Sequence, residues 1–252
     1  YAFIKRLKSN QIDLDLFIDW NENQPIDKGM IKGVRDFYKD VYIKGYQGYI
    51  ISTDFCFYIQ PTDIEISSGV IPDEICVVGK ALEDRIRKFT MNVTVSTAPA
   101  FRFQDVYKRY SSPSTIIRKI VLVALPIGID ESSNIVKLLL NSIRGIDKKD
   151  FDIYLKPHPA LNLNDVKTKI GEAWKSSFKI TMGNFNEIAA IAHVVIGSAS
   201  TTLIETITRG IPVIVVASNT GINQNPIPKD ISDKLWRLCS TKDEVLSALI
   251  SF

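Results

Sequence analysis

Val194-Val195-Ile196-Gly197-Ser198-Ala199-Ser200-Thr201-Thr202-Leu203-Ile204-Glu205 runs from an apolar segment through a turn of small residues into an amphipathic stretch. The spacing predicts a buried strand, a tight turn and a helix that stops at Arg209-Gly210, with a second apolar strand over residues 211–217. Such a unit leaves backbone N–H groups and hydroxyls at a helix N-terminus, where unpaired donors and the macrodipole both favour an anion. A phosphate ester suits that chemistry. The same residues also suit plain capping by Ser200 or Thr201, and the turn alone does not decide between the two.

Working outward, residues 120–125 form a continuous apolar strand, 126–133 a loop and 134–143 an amphipathic helix. A strand over 151–156 ends in Lys156-Pro157-His158-Pro159, and helix, strand, helix and strand follow within 164–174, 178–181, 186–192 and 193–196. Apolar strands alternating with helices imply a parallel sheet covered on both faces. Ligands bind such sheets along the carboxyl edge, so the His158 turn and the turn over 198–202 are expected to look into one crevice as neighbouring loops. The two prolines stiffen the first turn, and an imidazole there can donate to a phosphate. His193, just ahead of an apolar strand, reads as structural. Asp130 and Glu131 fall in the loop after the first strand, as a base or as a helix-start region; Glu205 suits either ribose hydroxyls or the helix dipole.

The small polar cluster Ser111-Ser112-Pro113-Ser114 reads as a linker, dividing the chain into residues 1–112 and 113–252. In the first part, residues 14–18 suit a short strand, and a helix starts near Pro25 with Ile26, Met30, Ile31 and Val34 on its buried face. Glu22 then stands at a strand-to-helix junction beside Trp20, as a base or nucleophile or as a cap. Residues 40–51 read as strand, turn, strand around Lys44-Gly45-Tyr46-Gln47-Gly48-Tyr49, where Gln47 is a candidate sugar or acceptor contact or part of a plain turn. Strands are expected over 56–61, 74–78 and 92–96, and a helix over 81–89. Arg102, between Phe101 and Phe103 in a loop, suits a clamp on an acidic group or a surface arginine lying over aromatics.

Composition narrows the function classes. The 252 residues are 45% hydrophobic and 23% charged, as in ordinary globular proteins. A net charge of +3 with scattered basic residues argues against nucleic acid as partner. No apolar run suits a membrane span and no secretory leader is visible, while Cys56, Cys76 and Cys239 have neither metal nor disulfide spacing, so a cytoplasmic protein with buried thiols is expected. No Walker A, Gly-x-Gly-x-x-Gly or Gly-x-Ser-x-Gly motif occurs, and neither a metal nor a bound cofactor is indicated. The chain starts at Tyr1, and an N-terminal portion is expected to be missing.

Lys156-Pro157-His158-Pro159, the run from Gly197 to Thr206 and Gly210-Ile211-Pro212-Val213 together resemble the donor-binding domain of GT-B glycosyltransferases. The His-Pro pair and the Ser/Thr pair are similar to those of bacterial sialyltransferases and Kdo transferases. That resemblance implies an α/β GT-B fold of two Rossmann-like domains facing a cleft. Residues 113–252 would bind the donor, and residues 1–112 would form an acceptor-side domain lacking its first strands. It implies nucleotide contacts by Lys156, His158, Pro159, Gly197, Ser198, Ser200, Thr201, Thr202 and Glu205, with His158 supporting the leaving phosphate. The donor would be a CMP-sugar carrying Kdo or sialic acid. The acceptor would be a bacterial surface glycan, free or lipid-linked, which is compatible with peripheral contact at the inner face of the cytoplasmic membrane. Glu22, or alternatively Asp130 or Glu131, would deprotonate the acceptor or attack the anomeric carbon. Similar patterns occur in UDP-GlcNAc 2-epimerases and teichoic-acid polymerases, so epimerisation, transfer from a UDP-sugar, and nucleotide-sugar binding without catalysis are the rival readings.

Overall fold

The computed structural model describes residues 1–50, 60–108, 118–145, 151–176, 178–219, 225–228 and 231–252. They fall into two units, Tyr1–Arg102 and Phe103–Phe252. The boundary expected between residues 112 and 113, and most of the strand expected over 56–61, lie outside the described residues.

The first unit runs α1 (Ala2–Ser9), β1 (Leu16–Trp20), α2 (Pro25–Phe37), β2 (Tyr42–Gln47), α3 (Asp63–Ser67), β3 (Glu74–Val77), α4 (Lys80–Arg87) and β4 (Thr94–Thr97). Among the described residues its four strands are parallel and lie in chain order, so each crossover turns the same way. The register makes this concrete. Ile43 packs with Ile4, Ile31 and Val34 of α1 and α2. Gly45, on the same face of β2, is level with Ile75 and Val95, which pack against Ile86 of α4. Helices α1, α2 and α4 therefore cover one face of the sheet.

Two expectations need correction here, and one helix was not read from the sequence. Residues 40–51 hold no turn at Gly45, because β2 runs straight through it. A Cβ there would lie 2.4 Å from Asn21 Nδ2 and 2.6 Å from Pro72 Cγ, so this glycine answers a packing need and not a turn. Ile26 is 69% exposed: the buried side of α2 is carried by Asp27, Ile31, Gly33 and Val34, and Ile26 lies about 140° from Ile31 around the helix. Helix α1 has no counterpart in the sequence reading, since only Ile4 of its eight residues is buried and it has no side-chain cap.

The second unit runs β5 (Lys119–Leu125), α5 (Ile129–Ser142), β6 (Phe151–Pro157), α6 (Leu163–Ile170), β7 (Lys179–Ile180), α7 (Phe185–Ala189), β8 (Val194–Gly197), α8 (Thr201–Thr208), β9 (Val213–Val216), β10 (Trp236–Cys239) and α9 (Lys242–Ser251). The strands are all parallel, in the order β7-β6-β5-β8-β9-β10. Counted within the unit this is 3-2-1-4-5-6, the doubly wound order, and the winding reverses between β5 and β8. Val121, Val123, Leu125, Leu155, Val194, Ile196, Ile214 and Val216 form one core layer with Ile135, Val136 and Leu139 of α5 and Val245, Ala248 and Leu249 of α9.

Helix α5 starts five residues earlier than the periodicity suggests. Asp130 and Glu131 thus belong to its first turn, not to a loop. Acidic residues favour that position through the helix dipole, and Ser132 closes the turn by donating from Oγ to the Pro126 carbonyl at 2.9 Å. The closing pair β10 and α9 extends the sheet beyond the strands read from the sequence.

Candidate functional site

The winding reversal places two connections at the carboxyl edge of the second sheet: residues 126–128 between β5 and α5, and residues 198–200 between β8 and α8. An open α/β sheet forms its ligand crevice at this place, because neighbouring connections leave in opposite directions. Gly197 ends β8 where α8 passes close; a Cβ would stand 3.1 Å from Leu203 Cδ2 and 3.4 Å from the Ala124 carbonyl. Ser198 follows, 3% exposed, and its hydroxyl has no hydrogen-bond partner among the described residues. A buried hydroxyl without a partner is costly, so one at a helix N-terminus marks a place for a ligand or a water.

Ser200 is the N-cap of α8. Its Oγ accepts from the Thr202 backbone N–H at 3.3 Å and pairs with Thr202 Oγ1 at 2.7 Å. The capping reading therefore holds for Ser200, and the phosphate reading is compatible with it through the cluster of hydroxyls there. Thr201 and Glu205 are half-buried on α8, Glu205 one turn beyond the cap. Beyond the facing connection, Ser133 in the second turn of α5 is 1% exposed and its hydroxyl also lacks a partner among the described residues.

His158 stands just past β6, and its backbone N–H donates to the Leu125 carbonyl at 3.0 Å, tying this turn to the end of β5. Nδ1 accepts from the Ala160 N–H at 3.1 Å. In the neutral ring that bond assigns the proton to Nε2, leaving an exposed imidazole with an N–H to offer. Lys156 is half-buried at the end of β6, level with Ala124, and Pro159 is exposed in the turn. The His158 and Ser200 turns occupy the same sheet edge but are not neighbours. Strand β5 lies between β6 and β8, so the strands that carry them are about 10 Å apart.

Asp130 pairs with Lys169, whose ammonium holds the carboxyl below the usual carboxylate range. That direction makes it a weaker base. Glu131 is half-buried in the same helical turn, next to Gly128.

The remaining candidates sit in the first unit. Glu22 follows β1 in a turn built by side chains: Asn21 Oδ1 accepts from the Asn23 N–H, Asp27 Oδ2 accepts from the N–H groups of Glu22 and Gln24, each at 2.9 Å, and Asn23 takes φ +56°. Asp27 thus caps α2, and the Glu22 carboxylate instead accepts from the Trp20 indole N–H at 2.9 Å. Gln47 ends β2, is buried, and its Nε2 has no partner among the described residues. Arg102 is exposed at the start of a 3₁₀ segment, Phe101–Tyr107.

Sequence reasoning missed Asp19. It is 5% exposed on β1, with Oδ2 unpartnered among the described residues, and burial followed by the nearby Asp27 charge pushes its carboxyl up to about 6. Alternation with the buried-face Phe17 was the available signal. Also missed was the cluster of rings around Trp20, described below. Among the described residues, no group of three or more His, Cys, Asp or Glu side chains could hold a metal ion, and no helix is long and apolar enough to cross a membrane.

No family model matches the chain, and no curated protein matches it in sequence. Solved structures do. S. aureus MnaA, solved with UDP, aligns over 99% of this chain and 69% of its own at TM-score 0.66 and 15% identity. A candidate UDP-N-acetylglucosamine 2-epimerase from Listeria monocytogenes aligns over 99% and 68% at TM-score 0.65 and 11% identity. The pneumococcal O-GlcNAc transferase GtfA, in complex with UDP and GlcNAc, aligns over 98% and 50% at TM-score 0.55 and 14% identity. These likenesses, with the two parallel-sheet units, establish a GT-B fold of two Rossmann-like units.

Proposed function

We propose that the protein binds a pyrimidine nucleotide sugar on its second unit and transfers the sugar to a hydroxyl of a glycan acceptor. The observation that carries this reading is the buried Ser198 hydroxyl, without a partner among the described residues, just ahead of α8 at the winding reversal of a doubly wound sheet. The phosphate nearest the sugar rests on the α8 terminus, with Ser198, Ser200, Thr201 and Thr202 around it and Gly197 allowing the backbone to approach. Glu205 takes the ribose hydroxyls. His158 offers Nε2–H from the far side of β5, with Lys156 and Pro159 shaping that turn. The pair spans the carboxyl end of β5 and does not pinch a single phosphate, which suits an extended nucleotide.

Stabilising the charge of the departing phosphate is the main catalytic term. Among the candidate bases, Glu22 and Glu131 are better suited than Asp130, which Lys169 neutralises. Gln47 and Arg102 are proposed contacts for the sugar or acceptor. Two structural neighbours solved with UDP favour a UDP-linked donor, whereas the His-Pro and Ser/Thr pattern favours a CMP-linked one carrying Kdo or sialic acid. Epimerisation of a UDP-sugar is the second reading, supported by the Listeria structure.

Calorimetric titration with UDP and CMP, followed by assays for nucleotide release from UDP-sugars and CMP-sugars with and without acceptor glycans, tests these readings. Acceptor-dependent release supports transfer. Conversion of UDP-GlcNAc without any acceptor supports epimerisation, binding with no turnover supports a non-catalytic module, and no binding of either nucleotide refutes the proposal.

A further inference from the structure

At the carboxyl edge of the first sheet, four aromatic rings form a fixed platform. Trp20 meets Tyr46 edge-on with centroids 5.6 Å apart and Tyr49 at 6.1 Å, and Tyr46 meets Phe101 at 6.0 Å. Three of the rings are anchored by their polar ends. The Tyr46 hydroxyl donates to the Pro99 carbonyl at 2.8 Å, the Tyr49 hydroxyl to the Asn21 carbonyl at 3.0 Å, and the Trp20 indole N–H to Glu22 Oε1 at 2.9 Å. Gly48 lies directly beneath, where a Cβ would come within 2.5 Å of both the Trp20 and Tyr46 rings. The backbone is thus shaped to hold the rings. Yet Trp20 remains 45% exposed and Phe101 64% exposed. Aromatic surface left in water on an anchored Trp20 and on Phe101, beside a carboxylate whose other oxygen has no partner among the described residues, is the make-up of a binding site more than of a core.

We infer that this platform binds a hexopyranose ring, the C–H face of the sugar lying on Trp20 and Phe101 and a sugar hydroxyl donating to Glu22. Aromatic faces carry partial negative charge that suits the polarised C–H bonds of a pyranose face, and a carboxylate accepts the hydroxyls on the ring's rim. This deepens the transfer reading by naming the acceptor's ring as the group recognised, and it rests on that reading only for the ring's role as acceptor.

The test is saturation-transfer NMR on the full chain with the methyl glycosides of glucose, galactose, mannose, N-acetylglucosamine and N-acetylgalactosamine, with uridine as a comparison probe. Saturation is expected on the ring C–H protons of at least one sugar. It should fall about two- to tenfold in Trp20→Ala and in Phe101→Ala, as lost stacking requires, and persist in Trp20→Phe and in Phe89→Ala. Phe101 makes its ring contact only with Tyr46 among the described residues, so its removal tests the site even where Trp20→Ala fails to fold. No transfer to any of the five sugars, transfer unchanged in Phe101→Ala, or transfer to uridine in their place overturns the inference. Sugar contact without UDP or CMP binding removes the donor reading and leaves this one; nucleotide binding without sugar contact does the reverse.

Discussion

Replacing Asp19 by Asn should stabilise the first unit at neutral pH and remove a pH dependence that the native chain carries. Burial and the neighbouring Asp27 raise the Asp19 carboxyl from 3.8 to about 6. Between those two values the folded state holds a proton that the unfolded chain has released. Stability therefore falls as pH rises from about 4 to about 6 and stays lower above that. A gap of about two pH units, at about 1.4 kcal/mol each, amounts to about 3 kcal/mol at pH 7.5. The substituted amide carries no charge at any pH, so the cost of burying a carboxylate beside Asp27 is removed. The variant should therefore gain up to about 3 kcal/mol at pH 7.5 and nothing at pH 4. Hydrogen exchange of peptides covering β1 and β2, corrected for intrinsic rates, reads the opening free energy of this sheet directly. Wild-type protection that is flat from pH 4 to 7.5, or a variant no more stable than wild type at pH 7.5, would refute the reasoning.

Gly45→Ala forces a methyl group against Asn21 and Pro72 and should cost about 1–3 kcal/mol, read as a lower urea midpoint with unchanged slope. Ser200→Ala removes the α8 cap and should lower stability by about 1 kcal/mol while weakening nucleotide binding in calorimetry; unaltered affinity would place the phosphate elsewhere. His158→Ala should slow turnover about a hundredfold once a substrate pair is found, by analogy with loss of one oxyanion donor, and an unchanged rate would remove His158 from the mechanism.

The second unit was largely legible as sequence because its strands are short apolar runs cut by strong punctuation. Pro157 and Pro159 frame one turn, and Gly210 ends α8 at φ +75°, a conformation that glycine adopts without strain. Where propensity was weak the boundaries slipped: the first turn of α5, rich in Asp and Ser, reads as loop until the Pro126 carbonyl is seen to accept from Ser132. The first unit was less legible. Gly45 looks like a turn residue, and only the close approach of Asn21 and Pro72 explains it inside a strand.

By itself the sequence determined the alternation of strands and helices, and with it the parallel class and the chemistry gathered at two turns, since both follow from local periodicity and residue type. Only the tertiary structure decided strand order. That order inserts β5 between the His158 and Ser200 turns and sets the winding reversal beside Ser198. Burial, likewise a property of the assembled sheet, left Asp19 and Ser198 without partners and brought Trp20, Tyr46, Tyr49 and Phe101 together from distant parts of the first unit.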